Sequence, residues 1–369
     1  MKTPILQFGT SRFLQAHVDL FISDARAAGQ DAGPITVVQT TSSPDRAGRL
    51  KGFDGSPIPI VVRGLENGQP VERTEYTGSI ARGLSAADDW PEIERIFVED
   101  VAFVVSNTGD AGFRMPDNET IADGVPTSFP AKLTKLLHAR WQKEGEPVTI
   151  FPCELIGDNG AVLRGLCVGI ARRSALPDAF VAWLADECVW ANSLVDRIVS
   201  GALDPVGAIA EPYALWAIER QPRLVVPCTH PAIRIVDDLK VVERLKLFIL
   251  NLGHTVLAER WLADRRPETE TVREILADAK VAALLAAIYD EEVLPVFAAA
   301  GIDEAPAYRV TVMERFRNPF LDHRLRDIAD SHAAKKERRF GGLRRWAAEA
   351  DPGLALPRIA AMEASGIGG

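Results

Sequence analysis

Four residues in one apolar segment have the types and spacing for proton transfer: Glu243, Lys246, Asn251 and His254, in Glu243-Arg-Leu-Lys246-Leu-Phe-Ile-Leu-Asn251-Leu-Gly-His254. In a helix at ~100° per residue with Lys246 at zero, Glu243 falls at ~60°, His254 at ~80° and Asn251 at ~140°, one shared face. Burying a lysine among Leu, Ile and Phe disfavours its charged form. An amine so placed accepts the proton of an alcohol while hydride leaves the carbon, and returns it in the reverse direction. Asn251 and His254 can donate to the developing oxyanion or carbonyl oxygen, and Glu243 can relay the proton to solvent. Spacing alone equally allows an amphipathic helix with a snorkelling lysine, a surface glutamate and a satisfied histidine. Gly253 costs a helix ~1 kcal/mol relative to Ala, which implies a close approach to the backbone there.

A second constellation, Gly9-Thr10-Ser11-Arg12-Phe13, lies between the first predicted strand and the first predicted helix. In a dinucleotide fold the Gly makes the tight turn, and the helix N-terminus meets the pyrophosphate with N–H groups and a positive dipole end. Ser11 stands where a second Gly usually lies, and its hydroxyl can bond a phosphate. One Gly in a strand–helix turn is weak evidence by itself. The second strand ends in Gln39-Thr40-Thr41-Ser42-Ser43, without the acid that holds a ribose diol. NADP thus stays possible beside NAD, with Thr40 a cofactor contact and Arg46 a phosphate partner; otherwise Thr40 and Ser42 cap a turn. Asn107 and Thr108, in Ser106-Asn107-Thr108-Gly109, end another strand at the edge where ligands bind, although such a tip suits any βα loop.

The elements that must position these groups alternate in the first half between apolar runs and amphipathic stretches, the pattern of a helix-covered parallel sheet. Strands are predicted over Pro4–Phe8, Ile35–Gln39, Val101–Ser106 and Val148–Pro152, with Val195–Val199 and Tyr213–Ile218 extending the sheet. Helices are predicted over Arg12–Ala27, Pro130–Lys143 and Gly160–Ser174. From about Val236 the helical stretches Leu239–Trp261, Glu268–Ala279, Val281–Tyr289 and Glu292–Ala300 dominate. The fold class is therefore α/β: a Rossmann-type nucleotide-binding domain over 1–235, then an all-helical substrate and catalytic domain over 236–369. Catalysis is expected in the cleft between them.

Composition narrows the partners. The chain of 369 residues is 47% hydrophobic and 25% charged, with a formal net charge of −9. That balance suits a globular core and argues against nucleic acid, which needs a basic surface. The one basic cluster, Lys335-Lys336 through Arg344-Arg345, reads as a local anion site or a solvated helix face. No long uncharged stretch suggests a membrane span. The start is too short in apolar residues for a signal peptide. Cys153, Cys167, Cys188 and Cys228 form no CxxC pair and read as reduced, buried thiols of a cytoplasmic protein. Six histidines without an HxH or HExxH pair give no metal site. A monomer or a homodimer is compatible with this composition.

Beyond these readings, Lys246-x4-Asn251-x2-His254 resembles the signature of the mannitol dehydrogenase family, the polyol-specific long-chain dehydrogenases. That family includes mannitol 2-dehydrogenase, mannitol-1-phosphate 5-dehydrogenase, fructuronate reductase and tagaturonate reductase. Other segments match in the same order. They are Leu6-Gln7-Phe8-Gly9 with Phe13-Leu14-Gln15-Ala16-His17, Ser106-Asn107-Thr108 with Ala111-Gly112, and Phe129-Pro130-Ala131-Lys132-Leu133-Thr134. Pro152-Cys153-Glu154-Leu155-Ile156 with Asn159-Gly160, Leu194-Val195-Asp196-Arg197-Ile198, and Arg315-Phe316 with Asn318-Pro319 continue the match.

The resemblance implies metal-independent hydride transfer to or from a nicotinamide, NAD or NADP. It makes Lys246 the general acid–base, Asn251 and His254 the ligands of the reacting oxygen, and Glu243 the relay. Asp196, Arg315 and Asn318 would line the substrate pocket. Leu155 stands where some polyol members carry an Asn near the reacting oxygen. The Cys-Glu-Leu-Ile and Leu-Val-Asp-Arg-Ile forms look like the tagaturonate reductase branch, although the length is nearer the mannitol-1-phosphate type. The expected reaction interconverts a hexonate and its keto-uronate, of the altronate–tagaturonate or mannonate–fructuronate kind. Arg315, Lys336 or Arg339 is the expected partner of the carboxylate. A polyol or polyol-phosphate dehydrogenase is the alternative enzyme, and a silent NAD-binding sugar sensor the alternative of another class.

Overall fold

Short runs of consecutive apolar residues leave a strand no polar face, so both of its sides must be covered. The strands β1 (Ile5–Phe8), β2 (Ile35–Gln39) and β7 (Thr149–Pro152) are buried at every position. With β5 (Ile80–Ser85), β6 (Phe103–Ser106) and β8 (Val189–Trp190) they form a six-stranded parallel sheet in the order β5-β2-β1-β6-β7-β8. Alternate side chains feed two cores. Leu6, Phe8, Val38, Val104 and Ile150 meet helices Trp90–Glu99, Phe129–Gln142 and Asn159–Arg173. Ile5, Ile35, Val37, Val105 and Phe151 meet helix Val18–Ala27 and β3 on the other side.

These coordinates are a computed structural model that describes residues 2–41, 48–109, 112–121 and 124–367. The chain divides into two units, Met1–Val62 with Arg73–Leu239, and Arg63–Glu72 with Lys240–Gly369.

The strands expected at Val195–Val199 and Tyr213–Ile218 do not extend the parallel sheet. Instead, β9 (Ser193–Asp196), β12 (Leu215–Glu219) and β13 (Ile233–Val236) make a three-stranded sheet in which β9 runs antiparallel to β12. A four-stranded sheet joins β10 (Val199–Ala202) and β11 (Ala208–Ala210) to β3 (Ile58–Glu66) and β4 (Gln69–Thr77). The reason is connectivity. A parallel neighbour needs a crossover of a dozen or more residues, and only Ala191 and Asn192 separate β8 from β9. The β3–β4 hairpin turns at Asn67-Gly68, both with positive φ (52° and 73°), as a two-residue turn requires.

The single helix expected over Arg12–Ala27 is two, Arg12–Gln15 and Val18–Ala27. Buried polar contacts hold the break open. The Arg197 guanidinium donates to the Ala16 carbonyl, His17 Nε2 lies 2.9 Å from the Leu215 carbonyl, and Gly207 N–H donates to Gln15 Oε1 at 2.6 Å. Burial pushes the His17 pKa down to about 3, so its ring is neutral and Nε2 carries the donated proton.

The second unit packs its helices around Phe248, Ile249, Val256, Leu285, Tyr289, Phe297, Phe316, Phe340 and Trp346. Three of its helices contain a π turn: Lys246–Asn251, Tyr289–Val293 and Glu337–Gly341. The helix expected over Glu268–Ala279 is only Val272–Ile275. A capping box between Thr271 and Glu274 starts it there, and the Thr271 bridge to Arg324 fixes the preceding backbone in an extended form. Among the described residues no helix is long and apolar enough to cross a membrane.

Asp19 is fully buried beneath β1, accepting from Gln7 Nε2 at 3.4 Å, and burial raises its pKa to about 7. An unfolded Asp titrates at about 3.9, so the folded state retains a proton that the unfolded state has lost. Stability from this group is therefore complete below about pH 4 and falls as pH rises to about 7, by about 1.4 kcal/mol per unit at most. Asp19→Asn should be more stable than wild type at pH 8, with the difference vanishing towards pH 4. Unfolding midpoints across that range would show it, and parallel curves would rule it out.

Candidate active site

The carboxyl edge of the parallel sheet is built where β1 separates β2 from β6, the point at which strand order reverses and ligands bind in such folds. Gly9 follows β1 with φ 115°, and a Cβ on it would stand 2.5 Å from the Asn107 carbonyl oxygen. Only Gly can make that turn. The tips of β1 and β6 are thus in contact, which brings Gly9, Thr10 and Ser11 beside Asn107 and Thr108. Ser11 caps the short helix, its Oγ accepting from Leu14 N–H at 3.2 Å. The hydroxyl proton remains for another acceptor, and the first-turn N–H groups have no intrahelical partner.

The Asn107–Thr108 tip is held from below by the buried Glu154. Its Oε1 accepts from both the N–H and the hydroxyl of Thr108 at 2.9 Å, and its Oε2 accepts from Ser106 Oγ at 2.9 Å. Burial raises the Glu154 pKa against those three bonds. Asn107 Nδ2 donates to the Cys153 carbonyl at 2.7 Å, which ties β6 to β7 as well.

The other predicted cofactor contacts are placed differently. The Arg12 guanidinium is spent on the Gly207 and Pro205 carbonyls at 3.1 and 3.0 Å and on Asp204, leaving Arg12 its backbone N–H. Phe13 stacks on His17 at 4.7 Å, and Thr40 is half-buried just beyond β2. Ser42, Ser43, Arg46 and Ala111 lie outside the described residues. Arg49, which the sequence reading did not single out, donates to the Thr10 carbonyl at 3.2 Å and stands beside Arg12 at this loop. Asp196 is buried at the end of β9, in the first unit. Leu155 is 72% exposed.

In the second unit, Glu243, Lys246, Asn251 and His254 lie on one continuous helical stretch, Leu239–Ala263, whose centre is the π turn Lys246–Asn251. Leu252 N–H reaches back five residues to the Leu247 carbonyl. A π turn absorbs one extra residue, so the wheel drawn for an unbroken helix shifts beyond it. Relative to Lys246, Asn251 moves to ~40° and His254 to ~−20°, closer to the lysine than in a regular helix. Lys246 is half-buried and has a polar partner.

His254 is buried, with its ring centroid 4.4 Å from that of Phe316 and 4.8 Å from that of His323. Burial, and then His323, Arg315, Arg339 and Lys335, push its pKa well below the ordinary value, so the ring is neutral. Arg339 donates to the Asn251 carbonyl at 3.1 Å and to Thr255 Oγ1 at 2.6 Å. Burial, then Arg338, lowers its pKa to about 10. Arg315 is buried at the end of helix Ala305–Phe316. Asn318 is buried two residues past that helix, accepting from Phe320 N–H and donating to the Arg63 carbonyl at 3.4 Å.

Lys336 is not available to a substrate carboxylate. It lies 3.2 Å from the buried Glu259 and also donates to Ser365 Oγ at 2.7 Å, while His332 Nε2 sits 2.8 Å from the same carboxylate. Burial pushes Glu259 up, but the bonds from His332, Ser365 and Lys336 outweigh it and hold the carboxyl below its usual range. The rest of the basic cluster divides: Arg344 pairs with Glu363 and Arg345 with Glu337 on the surface, and Lys335 donates to the Ile328 carbonyl. Among the described residues no group of three or more His, Cys, Asp or Glu is placed to hold a metal. The four cysteines are buried and free.

Residues 3–226 match the mannitol dehydrogenase Rossmann domain, and residues 238–367 match the mannitol dehydrogenase C-terminal domain. The chain belongs to the mannitol dehydrogenase family. Within that family it is similar to the altronate oxidoreductases of Halalkalibacterium halodurans (31% identity over 88% of this chain and 67% of that one) and Klebsiella pneumoniae (34%, 88% and 71%). Its fold is that of D-sorbitol dehydrogenase in substrate-free form, with a TM-score of 0.85, 21% identity, and coverage of 99% of this chain and 80% of the other. The two family domains meet the two sets of residues described above: the Gly9 edge in the Rossmann domain, the lysine helix in the C-terminal domain.

Two groups of this mannitol dehydrogenase family member carry no signal in spacing alone. Glu154 was quoted as part of a matching segment, yet its work on Thr108 depends on β6–β7 pairing that a linear reading does not show. Arg49 lies 39 residues from the carbonyl it bonds. Glu154→Gln keeps the volume but removes one of the two carboxylate acceptors. It should weaken NADH binding about tenfold, or ~1.4 kcal/mol, with little change in the unfolding midpoint; titration of nucleotide fluorescence would measure it, and unchanged affinity would remove Glu154 from the site.

Proposed function

We propose that this chain is an NAD(H)-dependent oxidoreductase that interconverts a hexonate and its keto-uronate, altronate–tagaturonate or mannonate–fructuronate, with Lys246 as the acid–base group. The observation that carries the acid substrate is the field at His254. The four strongest charges acting on this neutral ring are all basic, from His323, Arg315, Arg339 and Lys335. A neutral polyol has no use for such a field, whereas a carboxylate gains charge-assisted hydrogen bonds from it. The altronate oxidoreductase names of the relatives support the same reading.

The residues of the first unit fit a dinucleotide, because the Gly9–Asn107 approach makes a cradle that any Cβ would fill. Gly9, Thr10, Ser11, Arg12 and Phe13 would hold the pyrophosphate, Thr40 the ribose, and Asn107 and Thr108 the nicotinamide side. When bound, NAD supplies the hydride acceptor or donor; with no acid at the end of β2, NADP stays a candidate too.

In the oxidation Lys246 takes the proton of the substrate hydroxyl, and in the reduction it gives the proton back. Glu243, one turn earlier, passes that proton to solvent. Asn251 and the neutral His254 donate to the reacting oxygen, and His254 can do so without carrying charge into the pocket. Arg315, Asn318 and Asp196 line the substrate, and Arg339 faces its carboxylate. The Rossmann unit thus serves the nucleotide and the helical unit the substrate. Free, buried thiols are in keeping with a cytoplasmic enzyme.

Lys246→Ala should abolish turnover while nucleotide affinity stays within about twofold; an active variant would end the lysine assignment. NADH and NADPH oxidation should be followed with tagaturonate, fructuronate, fructose and fructose 6-phosphate in parallel. Turnover of a keto-uronate is expected, and turnover of fructose or its phosphate alone would move the chain to a polyol reaction. Arg339→Ala should raise the KM for the keto-uronate at least tenfold, ~1.4 kcal/mol, and lower the ratio of acid to neutral substrate. An unchanged ratio would free Arg339 of that role.

A further inference from the structure

Something fills the space that Gly253 leaves open. A Cβ at that position would stand 1.9 Å from the Tyr289 hydroxyl oxygen and 3.0 Å from Phe316 Cε2. The hydroxyl passes this point to donate to the Ile249 carbonyl at 2.8 Å, and Ile249 lies inside the π turn Lys246–Asn251. Tyr289 is fully buried, and burial raises its phenol pKa well above the ordinary value, so it stays a donor at any working pH. Its ring carries the Arg309 guanidinium 6.0 Å from its centroid, and its backbone opens a second π turn, Tyr289–Val293. Arg339 grips the same segment two residues later, at the Asn251 carbonyl.

The geometry of that turn decides where the ends of the segment point. In the shifted π pattern Leu252 N–H is shared between the Leu247 and Ile249 carbonyls, so the Ile249 oxygen has capacity for a second donor that an ordinary helix does not need. We propose that Tyr289 is a positioning residue for the reaction: its hydroxyl stabilises the π turn that sets Lys246 and Asn251 on one face, acting through the Ile249 carbonyl and never touching substrate. Gly253 is its counterpart, the gap through which the hydroxyl reaches the backbone. The inference rests on Lys246 being the acid–base group.

The test is a double-mutant cycle of Tyr289→Phe and Gly253→Ala, with Lys246→Ala alongside. Tyr289→Phe retains the ring and the packing but loses the donor. It should lower kcat about ten- to a hundredfold, leave the KM for NADH within twofold, and displace the pH dependence of kcat from that of wild type. Gly253→Ala should lower kcat more steeply in the tyrosine background than in the phenylalanine background, because Phe removes the oxygen that the new methyl meets. A Tyr289→Phe enzyme with wild-type kcat and pH profile overturns the proposal, and so does one whose only change is a lower unfolding midpoint. If Lys246→Ala is fully active, the lysine reading itself has failed; if it is inactive while Tyr289→Phe is normal, only the role of Tyr289 has.

Discussion

The missing side chain at position 9 is the constraint on which the nucleotide half depends. With Asn107 carbonyl oxygen 2.5 Å from where a Cβ would be, β1 and β6 close on each other at their carboxyl ends, and no residue but Gly allows it. Everything around that contact is arranged to keep it. Glu154 fixes the Thr108 backbone, Asn107 ties itself to Cys153, and Asn159 donates to the Pro152, Glu154 and Ser193 carbonyls at 2.9–3.1 Å. The price of this rigidity is a set of buried polar groups (Glu154, Asn159 and Ser193 among them) that fold correctly only if every partner is in place.

Much of the fold was legible because its strongest signals are local. The four apolar strands at Ile5, Ile35, Phe103 and Thr149 occur where their hydrophobic runs are, and the helices at Phe129 and Asn159 begin at clear N-terminal signals. The hairpin at Asn67-Gly68 had an equally local signal, an Asn-Gly pair flanked by alternating Ile58, Ile60 and Val62, and it went unread. What followed β8 could not be read locally. Which sheet β9 and β12 join depends on the absence of a crossover, a property of connectivity and not of strand composition. The break at Ala16-His17 was hidden for the same reason: its cause, Arg197, is 181 residues away.

The site divides along the same line. Glu243, Lys246, Asn251 and His254 were visible as a spacing on one helix, but the wheel that gathered them assumed a regular helix and missed the π turn. Gly253 signalled a close approach without naming what approached. The basic cluster after Lys335 looked uniform in sequence, yet burial separates its members by task. Lys336 neutralises Glu259 in the interior, Arg344 and Arg345 make surface pairs of small energetic weight, and Arg339 alone reaches the lysine helix.

The π turn has a consequence for how this helix tolerates change. A wide turn takes in a whole residue, so the helix beyond it keeps the facing it would have had without that residue. In genetic terms, one codon gained or lost between 246 and 251 leaves Leu252 onwards in the same orientation towards its core. The same insertion within Leu252–Ala263 would rotate all that follows by ~100° and turn Trp261 away from its neighbours. A one-residue gap opposite this turn, in an alignment with a distant relative, therefore records a rebuilt turn on an intact helix.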